Sequence, residues 1–150
     1  MQQQEARAKA QQDAKAAALF GRTLEGIDPT RIVIMGSSIG ADGAADACDF
    51  INQQYPGTCQ GALSLSPGDF LGVSYKDTVM NMGKTDPPTP AWCLASESEF
   101  VACQNAKSVG NPVFRDFKIV KGSHGNMLMR PKLDPLPMQI MLDFLAETIK

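Results

Sequence analysis

Apolar and polar positions along this chain fall into two kinds of block. Between Gln3 and Leu24, apolar residues recur at spacings of three and four: Ala10, Ala14, Ala17, Phe20 and Leu24. That period predicts a helix with one apolar face, ended by Gly26 and Asp28-Pro29. Arg31 to Met35 is different in kind. It is a short, continuous, β-branched run, the pattern of a strand buried on both faces. Helical spacing returns at Ala41, Ala44, Ala45, Cys48 and Ile51, and Tyr55-Pro56-Gly57 closes that segment.

The alternation continues downstream. Ala62 to Ser66 reads as a second strand, stopped by Pro67-Gly68. A short helix is predicted around Thr78 to Met82, and Lys84 to Pro90 is a proline-rich connection. Trp92 to Ser96 reads as a third strand, Phe100 to Ala106 as a helix, and Val113 to Val120 contains a fourth strand. The last helix is predicted over Pro137 to Ile149, with a stripe of Met138, Met141, Leu142, Leu145 and Ile149. Ile140 and Phe144 fall outside that stripe, so the helix is apolar over a wide arc. Strands alternating with helices predict an α/β fold: a parallel sheet of about four strands with flanking helices, built from right-handed crossovers. There is no internal repeat.

The 150 residues fit one domain. A chain of this length buries roughly 68–70% of its unfolded surface, enough for a true core. A formal net charge of −2 without basic clusters argues against nucleic acid as the main partner. No apolar run reaches the ~18–20 residues needed to span a bilayer. The first 18 residues lack the apolar centre of a signal peptide. None of the four cysteines, Cys48, Cys59, Cys93 and Cys103, forms a Cys-x-x-Cys pair, and there is one histidine. A metal site is therefore not expected, nor is a cofactor. Cys48/Cys59 and Cys93/Cys103 are sequence-local pairs that would bond in an oxidising compartment, periplasmic or extracellular. In a reducing one they would serve as small buried apolar residues.

Two segments carry chemistry. Gly36-Ser37-Ser38-Ile39-Gly40 follows the apolar run Ile32 to Met35 and precedes a helical stripe. A serine in a Gly-x-Ser-x-Gly turn between strand and helix has its hydroxyl held clear of the backbone. The sole histidine, His124, lies later, in Lys121-Gly122-Ser123-His124-Gly125-Asn126. A serine hydroxyl is a weak nucleophile without an adjacent base, and only His124 is available for that role. Ser37 is the neighbouring alternative but lacks the symmetric glycine spacing.

Residues Ile27 to Ala41, Leu63 to Gly68, Leu94 to Glu99 and Gly122 to Gly125 together resemble the α/β-hydrolase superfamily, in particular its dienelactone-hydrolase and esterase-like members. They correspond to the approach to the nucleophile elbow, the next strand, the strand end bearing the acid, and the histidine loop. The resemblance implies a truncated α/β-hydrolase fold. It covers the family's carboxyl-terminal half, from the helix before the elbow strand onward.

The resemblance also implies roles. Ser38 is the nucleophile, His124 the general base, and the backbone N–H of Ile39 one oxyanion donor. Glu99 aligns with the acid position, Asp69 is where some members place theirs, and Glu97 is two residues early. The family's second oxyanion donor comes from a loop with no counterpart here. Met127-Leu128-Met129, close after His124, would line an acyl pocket, pack in the core or form a dimer contact, the latter two favoured.

The implied activity is that of a serine carboxylesterase acting on small esters. The alternative is a non-catalytic hydrolase half that works as a binding or assembly module. Without the family's preceding strands, Arg31–Met35 is an exposed apolar edge. The expected partners are a small ester and a second copy or complementing chain at that edge.

Overall fold

A computed structural model describes residues 1–149. Helix α1 spans Gln2–Gly21, strand β1 Ile32–Ser37, helix α2 Ile39–Gln54 and strand β2 Cys59–Leu65. Helix α3 follows at Tyr75–Gly83, strand β3 at Ala91–Ser96 and helix α4 at Val101–Lys107. Strand β4 is Arg115–Ile119 and helix α5 is Pro137–Thr148, with short 3-10 turns at Glu97–Glu99 and Gly125–Met129. The four strands form one parallel sheet in the order β1-β2-β3-β4. This is the α/β architecture that the alternation of strand and helix patterns predicts.

The two faces of the sheet are packed differently, and strand periodicity explains it. Alternate residues point to opposite faces. Ala62 of β2 and Ala91, Cys93 and Ala95 of β3 face one layer, formed by α2, α3 and α4. Leu63, Leu65, Trp92 and Leu94 face the other, covered by α5 and the 3-10 turn through Leu128. Small side chains on the first face let the helices sit close. Large ones on the second fill the wider gap beneath α5. There Trp92 meets Phe144 edge-on at 5.5 Å and Phe117 at 5.3 Å, arrangements that aromatic rings favour.

Both cysteine pairs are bonded, and both lie in the small-residue layer. Cys48 of α2 joins Cys59 of β2, and Cys93 of β3 joins Cys103 of α4. Each bridge fastens a helix to a strand, and Cys48, Cys93 and Cys103 are fully buried.

Two predicted helix faces are corrected. In α5 the buried residues are Pro137, Ile140, Phe144 and Thr148, the face outside the predicted stripe. Of that stripe, Met138, Leu142 and Ile149 are exposed, Leu142 by 50%, while Met141 and Leu145 are partly buried against the core. With apolar residues around most of the helix, the aromatic core on the sheet selects the face that carries Phe144. In α1, no residue is fully buried. Ala18 and Leu19 pack on the core, while Phe20 and Leu24 of the predicted stripe are exposed. The helix also stops at Gly21 rather than Leu24. Much of its attachment to α2 is polar: Lys15 Nζ lies 3.3 Å from Asp46 Oδ2, and Gln11 donates to Asp46 Oδ1 at 3.2 Å.

Strand β1 lies at the sheet edge and is half-buried rather than enclosed on both faces. Its Met35 is 44% exposed. Beside it runs an apolar groove of about 500 Å³, lined by Ala14, Ala17 and Leu24 from the first helix and its exit turn, and by Ile32 to Gly36. Of the predicted stripe, Ala14, Ala17 and Leu24 line this groove, while Phe20 is exposed.

The disulfides close loops with sequence separations of 11 and 10. Replacing either pair by two alanines is expected to lower the unfolding free energy by about 2–4 kcal/mol, read as a shift of the urea midpoint. A midpoint within error of the parent would show that the bridge adds nothing to stability.

Candidate active site

Ser38 stands between β1 and α2 as the residue that caps the helix, with φ 57° and ψ −126°. That backbone region is costly for a residue with a side chain, of order 1–3 kcal/mol, and persists only where the surroundings enforce it. Here the parallel ladder does so: the Ser38 N–H donates to the Leu65 carbonyl at 2.9 Å. At that point the chain reverses into α2, and the Ala41 N–H donates back to the Ser38 carbonyl at 2.8 Å. The turn needs one of its two glycines sterically. A Cβ on Gly36 would collide with the Gly40 carbonyl, whereas a Cβ on Gly40 would meet nothing within 4 Å. The symmetric glycine spacing is thus asymmetric in its cause.

The other two residues arrive from the carboxyl ends of later strands. Glu99 closes the 3-10 turn directly after β3. His124 precedes the 3-10 turn Gly125–Met129 after β4. His124 Nδ1 lies 2.9 and 3.0 Å from the two Glu99 carboxylate oxygens, and its Nε2 lies 2.8 Å from Ser38 Oγ. With Nδ1 protonated, the ring donates to Glu99 and Nε2 accepts from the serine hydroxyl. The group is open to solvent: the His124 and Glu99 side chains are 47% and 36% exposed. A contact this exposed adds little stability, so its consequence is the orientation of the imidazole.

Three residues 86 and 25 positions apart in sequence are therefore brought into one hydrogen-bonded line. The other acids are placed elsewhere. Asp69 does not reach His124: its Oδ1 accepts the Tyr75 N–H at 2.6 Å, at the first turn of α3. Glu97 Oε2 accepts the Lys121 N–H at 3.4 Å, near the root of the histidine loop. Ser37 lies under Gly125. Ile39 is the first residue of α2, so its N–H precedes the intrahelical ladder and points from the positive end of the helix dipole. Leu128 is core, Met129 packs against that core, and Met127 is exposed.

Asp42, in the first turn of α2, escaped the sequence reading. It is buried and accepts from the Phe70 N–H at 2.9 Å and from the Gly68 N–H at 3.3 Å. Burial pushes its carboxyl above the usual range, and the Phe70 and Gly68 N–H groups oppose that shift. This carboxylate ties the loop after β2 to the helix that follows Ser38. Its sequence signal is a row of acids at helical spacing, Asp42, Asp46 and Asp49, along one face of α2. Among the described residues, no group of three or more His, Cys, Asp or Glu side chains is placed to hold a metal ion.

The asymmetry of the turn makes a direct test. Gly36→Ala is expected to cost several kcal/mol or prevent folding, because backbone meets the new methyl. Gly40→Ala, inside a helix with open space, is expected to raise stability by about 0.5–1 kcal/mol. Urea unfolding of both variants checks this. Equal effects of the two would contradict the steric account.

No protein-family model matches this chain, and no curated protein matches it.

Proposed function

We propose that this chain is a serine hydrolase of the α/β-hydrolase type, acting on small esters through an acyl-enzyme. The observation that supports it most is the continuous line from Ser38 Oγ through His124 to Glu99, at 2.8 and 2.9 Å, starting from a serine in a strained turn. Chance rarely places a lone histidine between a serine and a carboxylate with both ring nitrogens engaged.

The chemistry follows from the geometry. Ser38 Oγ attacks the ester carbonyl as His124 Nε2 takes its proton. Glu99 holds the Nδ1 hydrogen and stabilises the imidazolium that forms. The carbonyl oxygen becomes an oxyanion, which the Ile39 N–H and the α2 dipole favour. Collapse expels the alcohol, which receives the proton from His124. Water, deprotonated by His124, then releases the acid and regenerates Ser38. The resemblance assigns one oxyanion donor to this chain. A missing donor typically costs ~10²–10³ in turnover, about 2.7–4 kcal/mol, against total accelerations of at least ~10⁶. Turnover by the chain alone is accordingly expected to be slow but measurable.

A second reading, a module that assembles through its sheet edge, is favoured by β1. That strand carries no charge and no proline to block pairing, the usual protections of an edge, and the apolar groove lies along it. In this reading a second copy or a complementing chain pairs with β1 and covers the groove. The two buried disulfides suit an oxidising compartment in either case.

The test of the first reading is fluorophosphonate labelling with intact mass read before and after. One adduct is expected, absent in Ser38→Ala. Ester turnover should vanish in Ser38→Ala and His124→Ala, and fall by up to about 10⁴-fold in Glu99→Gln. Wild-type turnover in any of the three would sink the proposed triad. For the second reading, sedimentation equilibrium at tens of micromolar should show a dimer that Met35→Lys converts to monomer. A monodisperse wild-type monomer at that concentration would count against pairing with a second copy.

A further inference from the structure

Ser66 plays no part in the chemistry above, yet it holds the peptide that follows the base. Its hydroxyl oxygen accepts the Gly125 N–H at 2.9 Å, a buried hydrogen bond one peptide unit from His124. Ser66 is 1% exposed. Its own N–H donates to the Leu94 carbonyl of β3 at 2.7 Å, and its φ of 56° lies in the left-handed region. A buried serine with its backbone tied to the central strand and bent into a costly conformation is a rigid acceptor.

The histidine loop needs one. Its root is held by the Val120 N–H on the Asp134 carbonyl at 2.9 Å and by the long Lys121 to Glu97 contact. Neither fixes the peptide next to the ring; its carbonyl accepts the Met127 N–H at 3.1 Å within the same loop, so the tie to the sheet falls to its N–H. Gly125 is pressed down at the point of attachment. It has φ 58°, and a Cβ there would sit 2.6 Å from Ser37 Oγ. The loop therefore lies on the end of β1, and the Gly125 to Ser66 bond pins it there.

We propose that Ser66 is a positioning residue for His124, holding the imidazole between Glu99 and Ser38 through the Gly125 N–H. This rests on the serine-hydrolase reading. Consecutive residues at the end of β2 then set both reacting partners: the Leu65 carbonyl holds the Ser38 N–H, and the Ser66 hydroxyl holds the peptide after His124. Removing the hydroxyl leaves a buried N–H without an acceptor, a penalty that the loop relieves by shifting. Displacements near 1 Å at a catalytic group cost up to about 10²-fold in rate.

The single histidine makes the test clean, because every imidazole signal is that of His124. Imidazole 15N NMR and ester kinetics are recorded on the full chain, wild type and Ser66→Ala, in alkaline buffer. The wild type is expected to show one tautomer, protonated at Nδ1. Ser66→Ala is expected to show mixed tautomers, with kcat lowered about 10- to 10²-fold and KM within about twofold. If Ser66→Ala does not fold, Ser66→Gly relieves the left-handed backbone while still deleting the acceptor, and the same readings apply. Lowered stability with the wild-type tautomer and kcat would make Ser66 merely structural and overturn the proposal. A wild type without a defined Nδ1 tautomer and without a fluorophosphonate adduct would instead overturn the triad itself.

Discussion

The hydrogen bond from the Ser38 N–H to the Leu65 carbonyl holds together what is distinctive in this fold. It is the last rung of the β1–β2 ladder, extended one residue past the strand. Without it, nothing obliges Ser38 to keep a backbone conformation that costs energy. With it, the chain leaves the sheet at a sharp angle, α2 starts immediately, and the serine hydroxyl stands above the carboxyl edge. Gly36 makes the turn sterically possible, and Ser38 absorbs its strain. The same device recurs one strand over, where the Ser66 N–H extends the β2–β3 ladder onto the Leu94 carbonyl. Two strained serines on adjacent strand ends therefore share one physical origin: a parallel ladder carried past the end of its strand.

That edge is stable because the layers beneath it are asymmetric. Small residues on one face admit three helices at close range, and two disulfides stitch two of those helices to β2 and β3. The Cys93–Cys103 bridge spans Glu99, with Cys93 six residues before it and Cys103 four after, so the turn carrying Glu99 is anchored at both ends, by β3 and by α4. On the other face, Trp92, Phe117 and Phe144 fill a deeper gap with ring contacts. The open side of the molecule is β1, where apolar residues of the strand and of α1 line a groove. Catalysis and assembly would thus draw on different ends of one strand: its side for pairing, its carboxyl terminus for the nucleophile.

Several elements were legible from local chemistry alone. The β-branched run Ile32 to Ile34, the Gly36-x-Ser38-x-Gly40 turn and the Pro67-Gly68 stop each carry their own conformational preference, so their place in the fold follows from sequence neighbours. The faces of α1 and α5 did not follow. Both helices are apolar over more than one stripe, and periodicity cannot choose between stripes of similar character. In α5 the choice fell to Phe144, because the cavity over Trp92 fits an aromatic ring. In α1 the small Ala14 and Ala17 turned towards the β1 groove and Phe20 stayed exposed, while Ala18 and Leu19 met the core.

The sequence by itself determined the α/β class, the order of its elements and the candidates for nucleophile and base, because backbone preference and side-chain chemistry are local properties. Only the tertiary structure separated the candidate acids by position. Glu99, Asp69 and Glu97 are alike as carboxylates, and the direction in which each turn leaves its strand separates them. Glu99 reaches Nδ1 of His124, Asp69 is engaged by the start of α3, and Glu97 is drawn to the loop root. The roles of Asp42 and Ser66 were likewise decided in three dimensions. Each is an acceptor for backbone N–H groups 26 to 59 residues away, and no pattern of neighbours along a chain encodes a partner at that distance.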